Sequence, residues 1–328
     1  MDFLITTFFL GQPLWMWFGF IGIVAALLAF DLGILHRDNH EIGVRESLLL
    51  SSLYIVLGLG FGGFVWAQLG SQAGIEYLTG FVVEKSLALD NVFVIALIFT
   101  YFAIPRQYQH RVLFWGILGA IILRAIMIGF GAALVSEFHW VLYIFAAFLI
   151  ATGIKMLWLG DKESDLADNP VVKFMRRRFK VTEQLHGQNF FVRQMDGKSG
   201  RLVTYVTPLF LALVLIEIAD VIFAVDSVPA IFAITTDPYL VYTSNIFAIL
   251  GLRALYFALA AILHRFAYLK QALAILLVFI GSKIFVADFL GWEKFPASWS
   301  LGATFAILAS GVLYSLWRTR PTKTSIMS

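Results

Sequence analysis

Two short segments decide how this chain folds. Residues 84–92 read EKSLALDNV, and residues 220–228 read DVIFAVDSV. Each begins with an acid, has a second acid six positions later, and continues with a small polar residue and a valine. Both lie within long apolar stretches, where an unpaired carboxylate costs several kcal/mol. The repetition therefore predicts a duplicated unit whose acids have a function.

The composition is that of a protein that crosses a membrane many times. The 328 residues are 60% hydrophobic and 14% charged, with a mean hydropathy of +0.85. A helix needs about 20 apolar residues to cross a bilayer. Such stretches occur at roughly 15–35, 47–69, 77–103, 111–134, 138–159, 203–234, 239–263, 267–290 and 297–317. The predicted fold class is an all-α polytopic membrane protein with about nine transmembrane helices.

Lys and Arg are distributed unevenly between the loops. The loops after the first, third, fifth and seventh spans, with the C-terminal tail, hold 18 of the 24, whereas the opposite loops hold only Lys294. Loops rich in Lys and Arg stay in the cytoplasm, which predicts an external N-terminus and an internal C-terminus. This bias explains the net charge of +3, so no nucleic-acid partner is needed.

The similarity between the two halves extends beyond the acidic segments. LRA at 123–125 returns at 252–254, and GIK at 153–155 returns as GSK at 281–283. Copies that start three spans apart must insert in opposite directions, and such inverted repeats hold substrate near the bilayer midplane. We therefore expect an inverted repeat of two three-helix units.

This repeat divides the chain into five parts. They are two N-terminal helices (1–76), the first repeat (77–159), a cytoplasmic loop (160–202), the second repeat (203–290), and the last helix with its tail (291–328). Within the loop, Val171 to Lys180 is predicted to form a short basic amphipathic helix, and Asn189 to Tyr205 a small hairpin.

Helical periodicity sorts the polar residues of the two segments. At 100° per residue, Glu84 and Asn91 share one helical face, as do Asp220 and Ser227. Glu217 lies about 60° from Asp220 on this geometry.

The second acid of each segment, Asp90 or Asp226, lies about 120° away from that face. Either these two carboxylates face neighbouring helices, or a local break brings all the acids together. Pro229 favours a kink in span six.

The residue types limit the cation that such a site could bind. Cysteine is absent and every histidine lies in a loop or at a span end, so the ligands must be oxygens. Oxygen ligands favour a hard cation such as Mn²⁺, Mg²⁺ or Ca²⁺. The predicted metal ligands are Glu84, Asp90, Asn91, Glu217, Asp220, Asp226 and Ser227.

Interhelical salt bridges are the alternative explanation of these acids. The spans contain five acids and only three bases, Lys85, Arg124 and Arg253, so at least two acids need a cation or a proton. The bases are interpreted as structural or gating partners, with Arg124 pairing Asp90 and Arg253 pairing Asp226.

No nucleotide-binding loop, Ser-His-Asp arrangement or histidine zinc motif is present in the sequence. The chain is therefore not expected to be an enzyme, and it has no predicted catalytic residue and no predicted cofactor. Any coupling would use an ion gradient.

Residues 81–94 and 217–233 resemble the two signature motifs of the TerC family of bacterial inner-membrane proteins. Residues 189–193 and 243–254 extend the resemblance, which is greatest to the Alx-like branch. It implies a transporter of the LysE-like class in the bacterial inner membrane, an association with tellurium resistance, and manganese export. It also implies that the functional acids are Glu84, Asp90, Glu217, Asp220 and Asp226.

Two other functions remain open at this point. The chain could export a small organic solute, although surplus carboxylates suit an inorganic cation better. It could also be a membrane scaffold in tellurium or stress resistance, for which the repeated acids would have no purpose. The expected partners are the lipid bilayer and a divalent metal ion, and the sequence does not identify a protein partner.

Overall fold

The computed structural model describes residues 7–33, 43–159, 170–195, 201–259, 269–292 and 295–319. Apolar sequence and the need to pair every backbone group within a bilayer both favour helices, and the predicted all-α polytopic fold class is confirmed. The helices are α1 (Leu14–Gly33), α2 (Val44–Leu69), α3 (Ser71–Tyr101), α4 (Arg106–Glu137), α5 (Val141–Leu159), α6 (Pro170–Arg178), α7 (Pro208–Phe232), α8 (Pro238–Leu250), α9 (Leu252–Leu259), α10 (Leu269–Phe289) and α11 (Ala297–Arg318).

Seven helical segments of the described residues are long and apolar enough to cross a bilayer, and Leu14–Phe30 is a shorter apolar helix. Helix α3 has 31 residues, which is sufficient length, but it contains four charged residues. The predicted number of nine spans therefore stays a prediction.

The part of the 160–202 loop that the structure describes has the predicted elements. Helix α6 ends in three consecutive arginines, as expected for the basic helix. Strands β3 (Phe191–Met195) and β4 (Leu202–Val206) pair antiparallel and form the expected hairpin. A further small hairpin, β1 (Phe8–Phe9) with β2 (Gln12–Pro13), precedes α1 and was not predicted.

Helices α8 and α9 form the most buried span. The apolar window of Pro238–Leu259 is 89% buried, against 22% to 50% for the other six candidate spans. This span is interrupted at Gly251, between α8 and α9. Glycine weakens a helix by about 1 kcal/mol relative to alanine, and the carbonyl oxygen of Ala248, in the last turn of α8, accepts a hydrogen bond from Lys85 Nζ at 2.9 Å.

A local break in span six, one of the two alternatives for its acids, is not observed. Helix α7 continues through Pro229 to Phe232, and the kink that this proline favours stays a prediction. The interruption occurs in span seven instead, where no proline marks it.

The two copies make reciprocal contacts. A Cβ at Gly153 of α5 would lie 2.6 Å from the carbonyl oxygen of Ala274 in α10. A Cβ at Gly281 of α10 would lie 2.6 Å from the carbonyl oxygen of Ala146 in α5. These residues are 128 positions apart in both pairs, so each helix makes the same contact with its counterpart. This reciprocity supports the predicted inverted repeat.

Helices α3 and α7 are antiparallel at the centre of the molecule. Gly80 packs against Ile231 near one end of the contact, and Asn91 donates to Asp220 near the other. The residue numbers rise along one helix as they fall along the other, which is the direction that the odd repeat offset predicts. This register places the first acid of each segment beside the small polar residue of the other: Asp220 binds Asn91, and Glu84 and Ser227 both bind Arg124 Nη1.

Candidate functional site

A buried arginine lies at the centre of the polar residues. Arg124 of α4 is 1% exposed. Its Nε and Nη2 donate to the two carboxylate oxygens of Asp220 at 3.2 and 2.9 Å, and its Nη1 donates to Glu84 Oε1. A bidentate guanidinium–carboxylate contact is among the strongest polar interactions in proteins. Arg124 therefore pairs with two carboxylates that belong to different helices.

These two acids occupy equivalent positions in the repeat. Glu84 opens the segment on α3, and Asp220, 136 residues later, opens the segment on α7. Arg124 thus joins the first copy to the second.

The small polar residue of each segment completes the same cluster. Asn91 Nδ2 donates to Asp220 Oδ1 at 3.2 Å, and Arg124 Nη1 donates to Ser227 Oγ at 3.4 Å. The predicted sharing of helical faces by Glu84 with Asn91, and by Asp220 with Ser227, agrees with this arrangement. We call Glu84, Asn91, Arg124, Asp220, Ser227 and Asn245 the central cluster.

Asn245 was not among the predicted site residues. It lies on α8 and is fully buried, and its Oδ1 accepts from Arg124 Nη1 at 3.3 Å. The signal in the sequence that could have identified it is an amide side chain within an apolar span. Its role could not be derived from the repeat, because position 245 has no counterpart among the paired segments.

Three buried polar atoms around the cluster have no hydrogen-bond partner in the described structure. They are Asn91 Oδ1, Asn245 Nδ2 and Glu217 Oε2. Buried polar groups are nearly always paired, so these atoms have hydrogen-bonding capacity that water or a ligand could use. Asn91 and Asp220 also line a cavity of about 30 Å³, which is enough room for one water molecule or a dehydrated ion.

Glu217 lies at the edge of the central cluster. It is close enough to Asp220 for their charges to interact. Its carboxylate packs against Gly119 of α4, where even a methyl group would collide with it. Both residues line a groove between α4 and α7 whose other walls are apolar, among them Trp115 and Phe210.

The second acids of the segments are positioned differently. Asp226 faces α5, where Thr152 Oγ1 donates to its Oδ1 at 3.3 Å. This agrees with the alternative in which the off-face carboxylates serve neighbouring helices. Asp90 lies in α3, but its side chain is outside the described residues.

The predicted pairing of Arg124 with Asp90 involves a side chain outside the described residues, so it stays a prediction. Arg124 pairs with Glu84 and Asp220. Helix α4 runs beside α7, and the side chain of Arg124 also reaches α3. Lys85 does not join the cluster and instead binds the Ala248 carbonyl at the interruption after α8. Arg253 is buried in α9.

No three Asp, Glu or His side chains in the described ranges are arranged to hold a metal ion. The predicted metal ligands whose side chains the structure describes are therefore not assembled into one coordination shell in this conformation. Glu84, Asn91, Asp220 and Ser227 meet around Arg124, Glu217 adjoins them, and Asp226 is separate. Their role as ligands stays a prediction.

The fold and the buried charges define a polytopic α-helical membrane protein with a polar centre. Residues 69–323 match the model of the integral membrane protein TerC family. The chain belongs to this family.

Relatives match over nearly the full length. A membrane protein of Myxococcus xanthus named as uncharacterized is 45% identical over 310 residues, covering 94% of each chain. An uncharacterized membrane protein of Rickettsia felis is 48% identical over 302 residues, covering 92% of this chain and 97% of the relative. An Escherichia coli protein with the provisional name of a membrane-bound redox modulator, Alx, is 46% identical over 316 residues, covering 94% and 95%. No solved structure matches the chain.

Proposed function

We propose that the protein exports a divalent metal cation, Mn²⁺ in the first instance, across the bacterial inner membrane. The observation that carries the proposal is the meeting of Glu84 and Asp220, one from each copy, at a buried position in crossing helices. Inverted-repeat transporters hold their substrates at such an interface. The oxygens of the cluster suit a hard cation.

The charges of the site match such a cargo. Glu84, Asp220 and Glu217 carry three negative charges when ionised, and Arg124 supplies one positive charge. The two remaining negative charges equal those that one divalent cation or two protons would neutralise. In this conformation Arg124 takes the place of a cation between Glu84 and Asp220, so the entering ion must displace the guanidinium from at least one of them.

Proton exchange follows from the same charges. Once the cation leaves, carboxylates without a positive partner cannot stay ionised at low cost in an apolar surrounding. Protons taken up by these acids would let the empty site return to the cytoplasmic side. Proton antiport is therefore part of the proposal.

The name of the E. coli relative suggests a second candidate, a role in redox balance. The chain contains no cysteine, so a thiol reaction would have to take place on another protein. Export of Mn²⁺ offers an indirect route to a redox effect, because Mn²⁺ is a redox-active metal. We therefore keep cation export as the proposal.

The proposal is tested in bacteria that lack their own manganese exporters. Cells loaded with Mn²⁺ should lose it faster when they make the parent protein, and Asp220→Asn should abolish the gain while the protein still inserts in the membrane. Gly302→Ala is the matched control, because a Cβ at that position meets no atom within 4 Å.

The same cells distinguish the metals. Because oxygen ligands favour Mn²⁺ over Zn²⁺, excess Zn²⁺ should compete poorly for export. Equal Mn²⁺ loss from parent, Asp220→Asn and empty cells would refute the proposal. Strong competition by Zn²⁺ would refute the choice of metal.

A further inference from the structure

A second polar cavity lies apart from the central cluster, toward the face that the charge distribution predicts to be external. It has a volume of about 400 Å³ and is bordered by the turns that follow α4, α7 and α10. Its polar lining includes Glu76, Thr236, Lys283, Asp288 and Ser300. We call this space the external cavity.

Two oppositely charged side chains lie deep in the external cavity. Glu76 is 6% exposed and Lys283 is 5% exposed. Gln72 Nε2 donates to Glu76 Oε1 at 2.8 Å, and Lys283 Nζ donates to Ser300 Oγ at 3.1 Å.

These two charges attract each other without direct contact. The Glu76 carboxylate acts on Lys283 through its charge, but no ion pair within 4.0 Å joins them in the described residues. Each group therefore keeps hydrogen-bonding capacity beyond its contact with Gln72 or Ser300. With Asp288 at the rim, the cavity has two carboxylates for one ammonium, which favours a cation in the space between them.

Glu76 is aligned with the central cluster along α3. At 100° per residue, Glu76, Gly80, Glu84 and Asn91 fall within an arc of about 80° on one face of the helix. The rise of 1.5 Å per residue places Glu76 about 12 Å from Glu84 along the axis. One helical face therefore passes from the external cavity to the cluster.

A tight contact separates the two sites. A Cβ at Gly80 would collide with the side chain of Ile231 and would lie 3.0 Å from Ser244 Oγ. Beyond the cluster, the small cavity beside Asn91 follows, and then a cavity of about 390 Å³ lined by Arg106, at the predicted cytoplasmic end. The order along the molecule is external cavity, constriction, cluster, small void and cytoplasmic cavity.

We infer that the external cavity is the outer end of the cation pathway and that Glu76 is its outer cation-binding residue. This inference rests on the proposed function. Lys283 is the counter-charge that competes with the cation for Glu76, so that the carboxylate receives the ion without retaining it. Gly80, Ile231 and Ser244 form the closed point between this residue and the central cluster.

Binding is tested without transport. Because the chain has no cysteine, Thr236→Cys gives a unique attachment point for a nitroxide on an exposed lining residue. The purified protein would carry Asp220→Asn to weaken the central site. Added Mn²⁺, which is paramagnetic, should shorten the spin relaxation of the label with a saturable dependence on concentration.

Matched variants identify the residue responsible. Glu76→Gln should weaken the saturable binding by about tenfold or more, as expected for the loss of one charge-assisted contact. Lys283→Met should strengthen it, because the competing ammonium is gone. Lys155→Met, at the repeat-equivalent position of Lys283 and outside the cavity, should leave it unchanged.

Transport gives the second readout, in protein with an intact Asp220. A bulky membrane-impermeant maleimide on Thr236→Cys should block Mn²⁺ efflux, whereas the same reagent on Trp140→Cys should not. Trp140 lies on the same face, is 58% exposed and does not line the cavity.

The outcomes separate the two claims. Unsaturable Mn²⁺ effects, or binding that Glu76→Gln leaves unchanged, would overturn the inference. Mn²⁺ efflux that continues after the maleimide has reacted with Thr236→Cys would show that the cation does not leave through the external cavity. Saturable binding at Glu76 with no efflux by the parent would instead refute the proposed function and leave an external cation site.

Discussion

At the scale of single residues, Arg124 determines the state of the site. Its guanidinium is 1% exposed and binds carboxylates from both copies. A buried ion pair contributes little net stability compared with apolar packing, but removing one partner leaves a charge without compensation. The stability of the fold thus depends on Arg124, because Glu84 and Asp220 would be buried without a positive partner if it were removed.

Arg124→Met should therefore lower the free energy of unfolding by about 3–5 kcal/mol, measured by denaturant titration of the detergent-solubilised protein. Adding Glu84→Gln and Asp220→Asn to this variant should restore part of the loss, because the two carboxylates that Arg124 binds are then neutral. Arg106→Met, an exposed position on the same helix, is the control and should change little. A single Arg124→Met variant as stable as the parent would contradict the assigned ion pairs.

The sequence predicted which polar residues share a helical face, because that follows from the 100° period alone. Glu84 with Asn91 and Asp220 with Ser227 are the examples. It did not predict that one arginine binds both opening acids, or that Asn245 contributes, because those contacts depend on how α3, α4, α7 and α8 pack together. Periodicity orients a side chain on its own helix and gives no distance to another.

At the scale of helices, α5 and α10 show how the repeat is held together. Gly153 and Gly281 let the two backbones approach, and small residues at such crossings are typical of membrane helices. The GIK and GSK segments mark the repeat in the sequence, and their glycines lie at the contact between the helices. The interruption at Gly251 escaped prediction because a single glycine within an apolar run is compatible with a continuous helix.

Gly153→Ala and Gly281→Ala should each destabilise the protein by about 1–3 kcal/mol, since overpacking forces the helices apart. The two losses should be similar, because each Cβ would lie 2.6 Å from a backbone carbonyl oxygen. Thermal unfolding in detergent is the measurement. Gly302→Ala on α11 serves as the control and should be neutral or slightly stabilising, so equal behaviour of all three variants would contradict the reciprocal crossing.

At the scale of the whole molecule, the polar residues form a series that crosses an otherwise apolar helical bundle. The central cluster lies between cavities at the two ends, and both the external cavity and the cytoplasmic cavity contain charged residues. The composition predicted the polytopic class and the loop charges predicted its orientation. The cavities could not be predicted, because they depend on where helices from different parts of the chain diverge.

The central claim is that a divalent cation passes through the cluster built by Glu84, Arg124 and Asp220. The most direct measurement is Mn²⁺ flux into liposomes that contain only the purified protein, followed with a trapped metal-quenched dye and a trapped pH indicator. The account predicts saturable Mn²⁺ entry accompanied by opposite proton movement, lost in Asp220→Asn and retained in Gly302→Ala. Equal Mn²⁺ flux by the parent and Asp220→Asn, or no flux above protein-free liposomes, would contradict it.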